Sequence, residues 1–113
     1  MSELAERRCE PCKSGVPPLS ASQTAPLLEQ LDRDWRVIDG HHLSRVYRFQ
    51  NFSTALDYVN AVGALAEEQG HHPDLHLAWG KVGVEIWTHK IDGLHEADFV
   101  FAAKCDRLYP GAP

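Results

Sequence analysis

The chain has 113 residues, 43% of them hydrophobic and 24% charged, with a formal net charge of −5. That length bounds it to one small domain with a modest core. The acidic balance and the scattered Lys and Arg residues exclude a nucleic-acid phosphate surface as the main partner, and no apolar run is long enough to span a bilayer.

The first 19 residues read as a flexible polar leader that ends in Gly15-Val16-Pro17-Pro18, a run that cannot continue a helix. Residues 20–110 then form a single domain. The leader lacks the apolar h-region of a signal peptide, so a cytoplasmic location is expected. Three cysteines, Cys9, Cys12 and Cys105, are an odd count and argue against a disulfide framework. Cys9 and Cys12 form a lone Cys-x-x-Cys. Two readings stand for it: a loose tail without chemistry, or a zinc site shared between subunits.

A short helix follows the leader. Thr24 can cap it with Pro26 in the first turn, or Ser20 and Gln23 can form a capping box with Pro26 inside. Trp35–Asp39 reads as a strand, Gly40 as a turn, and Leu43–Phe49 as the partner strand, with Leu43, Tyr47 and Phe49 on one face. The clearest helix comes next: Phe52, Ala55, Leu56, Val59, Val62, Gly63 and Ala66 fall on one continuous face. Asn51 or Ser53 can cap it and Gly70 can end it in a left-handed turn. Glu67 lies in its last turn, where the helix dipole disfavours a carboxylate, which invites a functional explanation.

Leu75–Trp79 and Val82–His89 read as a hairpin around a type II′ turn at Gly80-Lys81. That register sets Trp79 against Val82, Leu77 against Val84, Leu75 against Ile86 and His76 against Glu85. Extended past Pro73, it sets His72 opposite His89. Trp87 falls on the other face, where its size points to a subunit contact. A last helix starts near His95, with Leu94 and Phe99 as a hydrophobic staple and Glu96 and Asp98 in its first turn. The element order predicts an α+β fold: a four-stranded antiparallel sheet with three helices packed on one face.

Seven histidines occur, and five lie between residues 71 and 95. His71 and His72 precede Pro73, which biases His72 toward extended backbone. Histidines around one pocket can supply acid and base near neutral pH without a metal, and Glu67 and Asp98 could orient them. Two other readings remain open on spacing alone. The histidines could bind zinc, although His-His-x-x-x-His matches no metal signature, or they could be structural. No serine or cysteine motif points to nucleophilic catalysis.

Glu67-x-x-x-His71-His72-Pro73, then Trp79, His89 and Asp98, resembles the signature of pterin-4a-carbinolamine dehydratases. The resemblance extends over about residues 20 to 108 and includes Leu19-Ser20, Trp35, the Phe49–Phe52 region, Gly80-Lys81-Val82, Thr88-His89 and Gly93-Leu94. The leader and the Trp87-Thr88-His89 run look like the bacterial branch. Gly70, Lys90 and His95 depart from the residues that many relatives carry there. The resemblance implies loss of water from a 4a-hydroxytetrahydropterin to give a quinonoid dihydropterin, which recycles the cofactor of aromatic amino acid hydroxylases. It implies His71, His72 and His89 as catalytic residues and Glu67, Pro73, Trp79, Thr88 and Asp98 as binding or supporting residues. It also implies a pterin substrate, no metal or other cofactor, and a homodimer or homotetramer. A role in molybdopterin metabolism, a protein-binding transcriptional cofactor and a zinc hydrolase are the alternatives.

Overall fold

The computed structural model of the chain describes residues 3–9 and 15–110. Alternating burial builds its sheet. In β2 (His42–Arg48) Leu43, Arg45 and Tyr47 are buried, while Val46 and Arg48 are exposed. In β4 (Lys81–Ile86) Val82, Val84 and Ile86 are fully buried. With β1 (Arg36–Ile38) and β3 (Asp74–Ala78) these strands form an antiparallel sheet in the order β1-β2-β4-β3. Helices α2 (Phe52–Gln69) and α3 (Glu96–Leu108) pack against it. With α1 (Ala21–Leu28) this is the expected α+β fold. Among the described residues no helix is long and apolar enough to cross a membrane.

The β3–β4 hairpin differs from expectation by a two-residue step of register. Ala78 pairs with Lys81, Leu77 with Val82, Leu75 with Val84 and Asp74 with Glu85. The turn is Trp79-Gly80, so the glycine comes second, with a φ of 74° that favours Gly. Gly80 also sits under Phe49, whose N–H donates to the Gly80 carbonyl at 2.8 Å, and an added Cβ would lie 3.2 Å from the Phe49 oxygen. This step keeps the same side chains facing inward, because faces repeat every two residues. It expels Trp79 to the hairpin tip, where it is 71% exposed rather than set against Val82. It also removes the expected His72–His89 pairing, since β3 begins only at Asp74. His76 opposes Gly83, yet its Nε2 still reaches Glu85 Oε1 diagonally at 3.3 Å.

Helix α1 starts at the earlier of its two expected caps. The Ser20 N–H donates to Gln23 Oε1 at 2.8 Å, and Pro26 lies inside the helix. Thr24 is buried and its hydroxyl donates to the Ala21 carbonyl instead of capping. Helix α2 is capped by Asn51, whose Oδ1 accepts from the Thr54 N–H at 2.8 Å. Its buried face is Ala55, Tyr58, Val62 and Ala66, while Phe52 and Leu56 of the expected stripe are 44% and 39% exposed. Tyr58 turns the helix: its ring packs on Tyr47 and Phe49, and its hydroxyl donates to the Cys105 carbonyl at 2.7 Å.

Eight residues of α3 are buried, including every one from Ala97 to Ala103. A helix buried all round needs cover beyond the sheet. The N-terminal segment, expected to be loose, supplies it. A 3-10 helix at Glu3–Glu6 lies on α3 with Leu4 fully buried and Ala5 3% exposed. Lys104 Nζ donates to the Ala5 carbonyl, and Arg107 binds the Glu6 carboxylate. Cys9 is buried and unbridged; Cys12 lies outside the described residues.

Candidate active site

Three chain ends converge on one cavity: the C-terminus of α2, the segment after β4 and the N-terminus of α3. Gly70 closes α2 with φ 64° in the left-handed region, and the N–H groups of Gly70 and His71 both reach the Ala66 carbonyl. That turn throws His71 and His72 out beside the sheet end. After β4, Thr88 bridges back to Gly93, and His89–Ile91 form a 3-10 turn that carries His89 to the same place. The cavity is about 470 Å3 and is bordered by His71, His72, Trp87, Thr88 and His89.

Asp98 anchors this arrangement from behind. It is fully buried in the first turn of α3. Its Oδ2 accepts from the Thr88 hydroxyl at 2.7 Å and from the His95 backbone N–H at 2.8 Å. Its Oδ1 lies 2.6 Å from His71 Nε2. A carboxylate only accepts, so Nε2 carries the proton and Nδ1 is the nitrogen left for other work. Nδ1 has no partner among the described residues. One carboxylate therefore caps a helix, holds Thr88 and sets the tautomer of a histidine on the cavity wall. His71 itself is held, with its side chain 14% exposed and its ring against Phe101.

His72 is held more loosely. Its Nε2 donates to Glu67 Oε2 at 2.7 Å, with side chains 59% and 80% exposed. That contact accounts for a carboxylate in the last turn of α2. The His89 ring makes no hydrogen bond among the described residues; it is exposed and meets Trp87 edge-on at 4.6 Å. Glu67 and Asp98 thus stand behind histidines rather than on the cavity wall, and Pro73 leads into β3 without bordering the cavity. Trp79, at the hairpin tip, is not brought to it.

Sequence reasoning missed several wall residues. Trp87 packs among His41, His42 and His89 and borders the cavity. Its place two residues before His89 was the available signal. Arg8, Cys9 and Gln69 also border it. The Cys9 N–H donates to Gln69 Oε1 at 3.0 Å and its thiol to the Ala97 carbonyl at 3.7 Å. Burial pushes that thiol up to about 11, so it stays protonated and is a fastener rather than a nucleophile.

Comparison with known proteins identifies the family of the chain. Residues 17–108 match the model of the family described as pterin 4 alpha carbinolamine dehydratase. A Rubrobacter xylanophilus protein provisionally named as such a dehydratase is 60% identical over 96% of this chain and 100% of its own length. The crystal structure titled transcriptional coactivator/pterin dehydratase from Brucella melitensis matches with a TM-score of 0.76 and 31% identity over 81% of this chain and 98% of that one. A pterin dehydratase-like protein, described as a RuBisCO assembly factor in the alpha-carboxysome, matches with a TM-score of 0.60 and 26% identity over 71% of this chain and 93% of that one.

Proposed function

The chain belongs to the pterin-4a-carbinolamine dehydratase family, and from that premise we propose that it removes water from a 4a-hydroxytetrahydropterin by histidine acid and base catalysis. The observation that carries this reading is the His71–Asp98 contact. It fixes one ring nitrogen as donor to a buried carboxylate and leaves the other free beside His72 and His89 on one cavity.

The reaction breaks the C4a–O bond. Hydroxide is a poor leaving group, so the oxygen must gain a proton as the bond opens. The lone pair of the neighbouring ring nitrogen drives the departure and forms the C=N bond. That nitrogen's proton then goes to a base, and the products are water and a quinonoid dihydropterin. His71 and His89 are the acid and base of this proposal. The Asp98 carboxylate stabilises His71 when it becomes charged. His72, steadied by Glu67, positions the pterin or relays protons. Thr88 fixes the Asp98 carboxylate, and Trp87 offers an aromatic face beside His89. The product would re-enter the cycle of a pterin-dependent hydroxylase, such as those acting on aromatic amino acids, or serve molybdopterin metabolism.

Self-association belongs to the same reading. Val46 on the sheet and Phe52 and Leu56 on α2 are 48%, 44% and 39% exposed, apolar surface open to a subunit contact. A homodimer or homotetramer would cover it. The same surface is open to a second reading in which the chain also binds another protein; the similar Brucella protein is described as a transcriptional coactivator/pterin dehydratase.

Stopped-flow dehydration of synthetic 4a-hydroxytetrahydropterin tests the catalytic reading. Acceleration over the buffer rate, unchanged by a chelator, is expected. A rate equal to buffer alone contradicts it.

A further inference from the structure

The charges bordering the cavity are unlike those of the whole chain. The chain carries 16 acidic and 11 basic residues. Yet among the described residues the cavity wall holds two permanent cations, Arg8 and Lys90, three histidines and no carboxylate. Among the described residues, several carboxylates close to the wall in sequence are engaged elsewhere, including Glu6, which pairs with Arg107. Glu96 pairs with Arg7 at 2.9 Å, Asp92 with His41 at 2.7 Å, Glu67 with His72, and Asp98 with His71. Arg8 and Lys90 are exposed, and neither has an ion pair or hydrogen bond among the described residues.

Each cation is also placed by structure. The Cys9 contacts to Gln69 and Ala97 hold the leader so that Arg8 borders the cavity. The Thr88–Gly93 bridge and the 3-10 turn hold Lys90 there from the other side of the chain. A neutral pterin ring gives no use for two such groups. An anionic substituent does, because a guanidinium fork and an ammonium are strong donors to phosphate oxygens.

We propose that Arg8 and Lys90 form an anion-binding rim that fits the site to a pterin whose side chain carries a phosphate. The inference takes the ring from the dehydratase reading, so its test measures binding apart from turnover. Titration calorimetry would compare 6-hydroxymethyl-7,8-dihydropterin, its phosphate monoester and inorganic phosphate. Two exposed charge contacts predict roughly tenfold tighter binding of the monoester than of the neutral pterin. That ratio should fall toward one in the Arg8→Gln/Lys90→Gln double variant and on raising salt. Equal binding of both pterins overturns the inference alone. So does a preference that the double variant retains, or inorganic phosphate binding as tightly as the monoester. Binding of neither pterin overturns the pterin reading and the inference together.

Discussion

Helix α3 carries a multiply bonded carboxylate near each end, and the two do different work. Asp98, in the first turn, joins His71, Thr88 and the His95 backbone. Asp106, in the last turns, accepts from Trp35 Nε1 at 3.0 Å, from Arg45 Nη1 at 2.8 Å and from the Tyr47 hydroxyl. Arg45 is buried and its guanidinium lies 4.3 Å from the Tyr47 ring centre. Every partner of Asp106 is locked among core rings, with Tyr58 and Tyr109 closing the cluster. One partner of Asp98, His71, keeps a nitrogen free at a cavity. Hydrogen-bond density therefore does not distinguish a site from a core network; a partner with an unused proton-transfer atom does.

The comparison sharpens into opposed outcomes for the two ends. Asp106→Ala removes the closest carboxylate from buried Arg45, leaving Asp32 and Asp34 at 3.6 Å, and strips the acceptor from Trp35 and Tyr47; it is expected to cost about 3 kcal/mol of stability in denaturant unfolding. The folded fraction should keep its dehydration rate. Asp98→Asn should do the reverse at the other end. An amide that still accepts from Thr88 offers its N–H to His71 and favours the wrong tautomer, for a loss of roughly 10²-fold in rate. A loss of rate in the Asp106 variant with stability intact would break the comparison.

A smaller effect concerns pH. Burial raises the Asp106 carboxyl above its ordinary value of 3.8, against the opposing pull of Tyr47, Arg45 and Trp35. A raised carboxyl favours the folded state fully below the unfolded value and loses that contribution as pH rises through the folded value. The stability of the native chain minus that of Asp106→Asn should therefore decline as pH rises through that window. A difference that grows with pH would reverse the sign assigned to burial.

The sequence made one of these ends legible and hid the other. His71, His72, Thr88, His89 and Asp98 stand at spacings that resemble a known signature, and the helix ends that place them follow from Asn51, Gly70 and the first turn of α3. The Asp106 network left no comparable trace, because Trp35, Arg45 and Tyr47 come from distant segments and no local period joins them. A half-polar residue weighs little in an apolar stripe, so the pattern on α2 does not single out Tyr58, although its ring decides the buried face. The hairpin register turned on whether Gly80 comes first or second in its turn, and only the contact with Phe49 settles that. The packing of Leu4, Ala5 and Cys9 on α3 was hidden for the same reason as the Asp106 network: each contact joins residues far apart in the chain.

The central claim is that the cavity histidines transfer the protons of dehydration. Single-turnover dehydration of 4a-hydroxytetrahydropterin by the native chain and by separate His71→Ala and His89→Ala variants tests it most directly. Each variant is expected to lose on the order of 10²-fold or more in the chemical step while remaining folded. Full rates in both variants would contradict the assignment.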